Sequence, residues 1–111
     1  TGNLTEFILK KQPKQIIVIE KDYNLTNKLD KKIHSLATEY PTFQIAVIDR
    51  NILRLGLIEI AESFHEKNIT KSLVENFSKL AFIFGGENSD KFIKGVLKSF
   101  ILEKSRSQKK E

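Results

Sequence analysis

The chain has 111 residues, of which 40% are hydrophobic and 30% are charged, and its formal net charge is +5. These values are typical of one globular domain, residues 1–111, with a hydrophobic core of its own. The absence of cysteine excludes disulfide bonds and thiolate metal sites. No apolar run approaches the ~18 residues of a membrane span, and no secretory signal is visible, so we expect a cytoplasmic protein without a membrane partner.

In the first forty residues, the sequence predicts secondary structure clearly only from residue 24 onward. Residues 1–13 fit no element well. Residues 14–23 contain four consecutive β-branched residues, which favour a strand, but no second run of this kind could pair with it, so we interpret the segment as a helix. Residues 24–40 are predicted to form an amphipathic helix, because apolar side chains recur at helical spacing. Its apolar stripe consists of Leu25, Leu29, Ile33, Leu36 and Tyr40.

Residues 42–66 are apolar on nearly every side of a helical wheel. A helix of this kind is normally buried by its neighbours, so we expect it to be the central helix with shorter helices packed around it. Pro41 disfavours helix at the residue before it, and Thr42 is the predicted N-cap.

Two arginines, Arg50 and Arg54, lie one turn apart on this central helix. Each would need a carboxylate or carbonyl partner if the helix is buried. We therefore predict structural roles for Asp49, Arg50 and Arg54. The acidic residues available in sequence are Asp30, Glu59 and Glu75.

The next helix is predicted over residues 71–84, with Thr70 as its N-cap and a hydrophobic staple between Ile69 and Val74. One of the two glycines at 85–86 should end it in the left-handed conformation. Its inner stripe is Leu73, Phe77, Leu80, Ala81 and Phe84.

Ser89 is the predicted N-cap of the last helix. The negative charge of Asp90 should stabilise the start of that helix, where the helix dipole is positive. Residues 103–111 lose the pattern and are predicted to be a frayed tail. The apolar face of the last helix is Phe92, Ile93, Val96, Leu97, Phe100 and Ile101.

Three lysines of the last helix, Lys91, Lys94 and Lys98, lie close together opposite its apolar face. Beside the free N–H groups of a helix start, they would suit a phosphate-binding edge. An ordinary solvated face gives the same pattern. Gly95 lies beside the lysines, which suggests a close approach to the backbone. Phe92 either stacks on a base or belongs to the core.

Phe82 and Ile83 point away from the inner stripe of their helix. Two large exposed apolar groups side by side indicate a protein interface. The carboxylates are scattered, the histidines are isolated and no Gly-rich phosphate loop is present. We predict no catalytic residues, no metal site, no cofactor and no enzyme activity.

Two segments resemble the NusB family of transcription antitermination factors. Residues 48–59, IDRNILRLGLIE, are similar to the family segment iDRaiLRlaiyEl. Residues 84–97, FGGENSDKFIKGVL, are similar to FGgedS.KFvNGVL, and residues 29–33 match more weakly. The motifs occur in the family's order, and the resemblance covers roughly residues 25–102.

The resemblance implies an all-α NusB-like helical bundle of two packed three-helix subdomains. It also implies a bacterial, cytoplasmic protein that binds the boxA element of nascent RNA as a heterodimer with a small-subunit ribosomal protein, NusE. In the family, the segment that matches 87–92 contributes to RNA and partner contacts. With the lysine edge, the predicted RNA-binding residues are Glu87, Asn88, Ser89, Lys91, Phe92, Lys94 and Lys98.

The chain also departs from the family pattern. Nothing matches the arginine-rich first helix, so either the chain is truncated or the protein has diverged. Phe82 and Ile83 replace basic residues, and Lys94 replaces the Asn of NGVL. One alternative is a protein-interaction scaffold that has lost RNA binding and uses Phe82 and Ile83 to hold a partner or to self-associate. Another is the NusB-like domain of a ribosomal RNA cytosine methyltransferase, against which the GGENSDKF motif argues.

Overall fold

The computed structural model describes residues 23–38 and 44–109, and in these residues the chain forms four α-helices and no strand. The prediction of an all-α fold is confirmed. Predictions for residues 1–22, Tyr40, Pro41 and 110–111 lie outside the described residues. None of the described helices is long and apolar enough to cross a membrane. The helices are α1 (Tyr23–Leu36), α2 (Val47–Glu62), α3 (Lys67–Phe84) and α4 (Ser89–Lys109).

Helix α2 packs against each of the other three described helices, and α4 does the same. Leu53, Leu57 and Ile60 on this helix are almost fully buried. Gly56 lets α4 approach closely, because a Cβ atom there would lie 2.9 Å from a methyl carbon of Leu97. Burial of the apolar surface of α2 drives much of the packing, but α2 shares with α4 the central position that was predicted for it alone.

The start of the central helix was predicted too early. Helix α2 begins at Val47 with Ala46 as its N-cap, and Thr42 lies outside the described residues. Ile45 is buried although it precedes the helix, so the apolar pattern runs past the helix boundary. Val47 and Ile48 are exposed, so the first turn is not covered on all sides.

Helix α3 begins at Lys67, with Glu66 at the N-cap position, and the prediction of Thr70 as N-cap is wrong. Thr70 is buried inside the first turns, where its hydroxyl donates a hydrogen bond of 2.9 Å to the carbonyl of Ser63. The hydroxyl thus ties α3 to the end of α2. Ile69 is exposed, so the predicted hydrophobic staple does not form.

The inner stripe of α3 is confirmed except at its end. Leu73, Phe77, Leu80 and Ala81 are buried against α2 and α4, whereas Phe84 is about half exposed. Phe84 is the last residue of the helix. The spacing of apolar residues cannot show where along a helix the covering neighbours stop.

Helix α4 continues through Lys109, so the prediction of fraying from residue 103 is wrong for the described part of the tail. The Lys104 ammonium lies 5.6 Å from the ring centre of Phe64 and 5.4 Å from that of Phe100. Cation–π contacts of this length stabilise the last turns. A wheel of α4 reveals the contact of Lys104 with Phe100 but not that with Phe64, because Phe64 follows α2.

Candidate nucleic-acid interface

The connection between α3 and α4 is a tight turn with one residue of unusual conformation. The amide of Gly85 donates a hydrogen bond of 2.7 Å to the carbonyl of Ala81, and Gly85 itself is extended, with φ −89° and ψ −171°. No described glycine has positive φ, so the prediction of a left-handed glycine is wrong. The left-handed residue is Asn88, with φ 65°. Asparagine tolerates this conformation better than most residues do.

Gly85 is required for a reason other than its φ angle. A Cβ atom at this position would lie 2.6 Å from the Ala81 carbonyl oxygen and 2.6 Å from the Cβ of Ser89. A Cβ atom at Gly86 would meet only the Ser89 hydroxyl, at 4.0 Å. The turn therefore depends on close backbone packing at the first glycine only.

Ser89 ties this turn to the central helix. Its hydroxyl accepts a hydrogen bond from the Gly86 amide at 2.9 Å and donates one to Oδ2 of Asp49 at 2.8 Å, across forty positions of sequence. Both side chains are buried. The prediction of Ser89 as N-cap is wrong, because Ser89 is the first residue of the helix and Asn88 precedes it. The carbonyl of Asn88 accepts a hydrogen bond of 3.0 Å from the amide of Phe92.

The hydrogen bond of Asp49 supports the structural role that we predicted for it. It lies in the first turn of α2, where a negative charge is favoured. Its Oδ2 holds the Ser89 hydroxyl, while its buried Oδ1 has no hydrogen-bond partner in the described part of the chain. The start of α4 is thus positioned by α2.

The side chains that the turn presents to solvent are those of Glu87, Asn88 and Lys91. Phe92 is half-buried and packs against the core, so the core alternative describes its buried part, and base stacking stays a prediction. Ser89 belongs to the same predicted RNA-binding set, but its hydroxyl faces Asp49 and not solvent.

Gly95 lies on an open part of this surface. Within the described structure, a Cβ atom there would have no neighbour within 4 Å, so nothing in these residues approaches its backbone. It borders a cleft of about 330 Å³ between α4 and the end of α1. The residues that line this cleft include Thr38, Lys91, Phe92 and Ser99.

The row of three lysines is exposed at its ends and paired in its middle. Lys91 and Lys98 are exposed, whereas Nζ of Lys94 lies 2.8 Å from Oε1 of Glu75 on α3. This hydrogen bond, with the positive charges of Lys94, Lys98 and Lys79, lowers the pKa of Glu75 below its usual value. The predicted basic edge therefore has two exposed lysines, and the charge of the third is balanced by a carboxylate.

Arg54 has the carboxylate partner that its predicted structural role requires. Its Nε and Nη2 donate hydrogen bonds of 2.8 Å each to the two carboxylate oxygens of Asp30, which joins α2 to α1. The side chains are only 15% and 26% exposed. Planar two-point pairs of this kind are the strong form of such contacts. Arg50 has a buried Nε without a hydrogen-bond partner in the described residues, so its structural role stays a prediction.

The comparison with protein families decides what kind of bundle this is. The profile of the NusB family matches residues 23–102 of the chain. The chain belongs to the NusB family. This is a family of transcription antitermination factors and not of enzymes, and it has an all-α fold. The resemblance proposed from the two motifs is thereby confirmed.

Several curated NusB proteins are similar to this chain. Transcription antitermination protein NusB of Dehalococcoides mccartyi (strain CBDB1) is 36% identical over 110 residues, which cover 88% of this chain and 75% of that protein. Its counterpart in strain ATCC BAA-2266 / KCTC 15142 / 195 is 42% identical over 72 residues, 64% of this chain and 48% of that protein. For Roseiflexus sp. (strain RS-1), the identity is 35% over 69 residues, 62% of this chain and 49% of that protein.

The match therefore spans three quarters of one of these NusB proteins and about half of each of the other two. No solved structure matches the chain significantly.

One surface of this NusB-family chain is unusually apolar. Phe82 is 74% exposed, and Ile83 and Phe84 are each about half exposed, at the C-terminal end of α3. The predicted exposure of Phe82 and Ile83 is confirmed, and Phe84 extends the patch. A patch of this kind indicates a surface that another molecule covers.

Sequence reasoning missed two features of this interface. The hydrogen bond between Asp49 and Ser89 joins the two NusB motifs, and the presence of both motifs was its only signal in the sequence. The second is a basic cleft formed by Lys67 and Lys71 of α3 facing Lys98 of α4. The helix predicted over 71–84 left Lys67 outside, and only packing brings Lys67 and Lys71 to the same cleft as Lys98.

Proposed function

We propose that this chain is an accessory factor of transcription antitermination and ribosomal RNA synthesis that binds boxA-like single-stranded RNA in the cytoplasm. Small-subunit ribosomal protein NusE is the proposed protein partner. Membership of the NusB family and the names of the similar proteins support the role in antitermination. The observation that carries the RNA-binding part is the turn at 85–88, where buried hydrogen bonds hold an exposed helix start in place.

The start of α4 offers the groups that a phosphate needs. The first turn of a helix has free N–H groups and the positive end of the helix dipole. Lys91 is exposed in that turn, and Lys98 is exposed two turns further along the same helix. In our proposal these two lysines contact phosphates, and they carry more of the binding than Lys94, which is held by Glu75.

The other exposed groups of the turn suit bases better than phosphates. The carboxylate of Glu87 and the amide of Asn88 can form hydrogen bonds with base edges, which is how single-stranded RNA is usually read. The exposed part of Phe92 offers a surface for stacking. In our proposal Ser89 does not contact RNA. Its hydrogen bond to Asp49 fixes the turn that carries the contacting groups.

The test is RNA binding measured by fluorescence anisotropy over a range of salt concentrations. Lys91→Gln/Lys98→Gln should weaken binding and lower the slope of log affinity against log salt by about 1.4, since each phosphate contact contributes ~0.7 for a single strand. Lys28→Gln/Lys31→Gln is the matched control, because both lysines are exposed on α1. The proposal is rejected if the RNA affinity changes neither with salt concentration nor in Lys91→Gln/Lys98→Gln. Added NusE should increase the affinity for the same RNA.

The exposed patch of Phe82, Ile83 and Phe84 favours a second candidate, a protein-interaction scaffold that does not bind RNA and can self-associate. Light scattering separates the two candidates. A dimer that Phe82→Glu abolishes, together with no RNA binding, would support the scaffold. A monomer that binds RNA would reject it.

A further inference from the structure

A second basic surface borders the lysine row of α4, with which it shares Lys98. Helices α3 and α4 enclose an open cleft of about 560 Å³. The residues that line it include the apolar Val74 and Ile101 and the rings of Phe64 and His65. These two rings meet edge to face, with their centres 5.9 Å apart.

Lysines from both helices border this cleft. Lys67 and Lys71, one turn apart on α3, line one side, and Lys98 of α4 lines the other. All three are exposed. Among the described residues, Glu75 is the only acidic one that lines the cleft, and its charge is balanced by Lys94. The cleft therefore has a strong excess of positive charge.

Lys98 connects this cleft to the proposed RNA interface, because it belongs both to the lysine row of α4 and to the cleft. From Lys91 to Ser105, which also lines the cleft, α4 runs for about 20 Å. A strand held at the start of α4 can therefore continue along the helix, from Lys91 past the Lys94–Glu75 pair to the lysines of the cleft.

We infer that the α3–α4 cleft is an extension of the RNA interface, in which Lys67, Lys71 and Lys98 bind phosphates of single-stranded RNA beyond the segment held at the start of α4. This inference rests on the proposed function. Sequence-tolerant binding of single strands combines a positively charged groove with apolar or aromatic surfaces for the bases. The rings of Phe64 and His65 and the apolar side chains that line the cleft supply the surfaces for the bases. An acidic amphipathic helix would fit the same chemistry, but continuity with the start of α4 favours RNA.

The experiment compares RNA strands of two lengths. One labelled boxA-like strand has about 6 nucleotides, and two others are extended to about 16 nucleotides, one at the 5′ end and one at the 3′ end. We expect at least one extended strand to bind the wild-type chain several-fold more tightly than the short strand. Lys67→Gln/Lys71→Gln should remove this gain and lower the salt slope for that strand by about 1.4, without affecting the short strand.

The control is again Lys28→Gln/Lys31→Gln, which should leave the binding of every strand unchanged. Circular dichroism should show the same helix content in all variants, since exposed lysines contribute little to stability.

The remaining outcomes overturn the inference in distinguishable ways. If no strand binds, the proposed function fails and the cleft inference fails with it. If the short strand binds and extension adds nothing, or if the gain persists in Lys67→Gln/Lys71→Gln, only the cleft inference fails. A synthetic helical peptide with leucines on one face and flanking glutamates serves as the protein-like probe. Binding of this peptide that depends on Lys67 and Lys71 and does not compete with RNA would assign the cleft to a protein.

Discussion

The two ends of the α3–α4 pair are built on different principles. At the end that contains the turn, two hydrogen bonds link Asp49, Ser89 and Gly86 and hold the turn against α2. At the other end, Lys67 and Lys71 line an open cleft and remain exposed. The first end should respond to single substitutions with large losses of stability, whereas the second should respond with small changes in stability and graded changes in binding.

The largest effect is expected at Gly85. Gly85→Ala places a methyl group 2.6 Å from a backbone oxygen, which should lower the free energy of unfolding by about 1–3 kcal/mol. Gly86→Ala is the matched control and should change it by less than about 0.5 kcal/mol, because its new methyl group meets only the Ser89 hydroxyl at 4.0 Å. Urea unfolding measures both values. Equal losses in the two variants would contradict the close-packing argument.

Losses of similar size are expected from the hydrogen bond between Asp49 and Ser89. Asp49→Ala and Ser89→Ala should each cost about 1–3 kcal/mol, since either leaves a buried polar group without its partner. The double variant should cost clearly less than the sum of the two. Urea unfolding of the four proteins completes the cycle. Strict additivity would mean that the two residues do not interact in solution.

A smaller effect, on binding instead of stability, is expected from Glu75→Gln. The substitution removes the carboxylate that holds Lys94 and restores a third free lysine to the row on α4. The salt slope of RNA binding should therefore increase by about 0.7. Glu103→Gln is a suitable control, because Glu103 pairs instead with Lys32 of α1. A slope that stays the same would show that Lys94 takes no part in RNA binding.

The smallest effect is the pH dependence of the same pair. The hydrogen bond and charge of Lys94 lower the folded-state pKa of Glu75 below its ordinary 4.5, so ionised Glu75 stabilises the fold above that pH. This contribution should disappear as the pH falls through the lowered pKa. Wild type and Glu75→Gln should thus differ slightly at neutral pH and converge in acid, as thermal unfolding can show. A difference that grows in acid would contradict the sign of the shift.

Much of the site was predictable because it lies in short motifs. The residues 87–92 could be singled out from the resemblance, and Phe82 and Ile83 from the helical wheel. The pairing of Lys94 with Glu75 was not predictable in the same way. It depends on the register between two antiparallel helices, and the sequence of either helix alone does not determine that register. For the same reason Phe84 was placed in the core, although the covering helices do not bury it.

The amino-acid sequence by itself determined the helical class, the burial of α2 and the family, because apolar periodicity and motif spacing are local properties. It could not determine which residue adopts the left-handed conformation, where α2 and α3 begin, or which lysines remain free. Those features depend on contacts between residues far apart in the chain, such as Asp49 with Ser89 and Thr70 with Ser63. A hydroxyl bonds to whichever acceptor the packed helices bring within reach, and only the tertiary structure decides which acceptor that is.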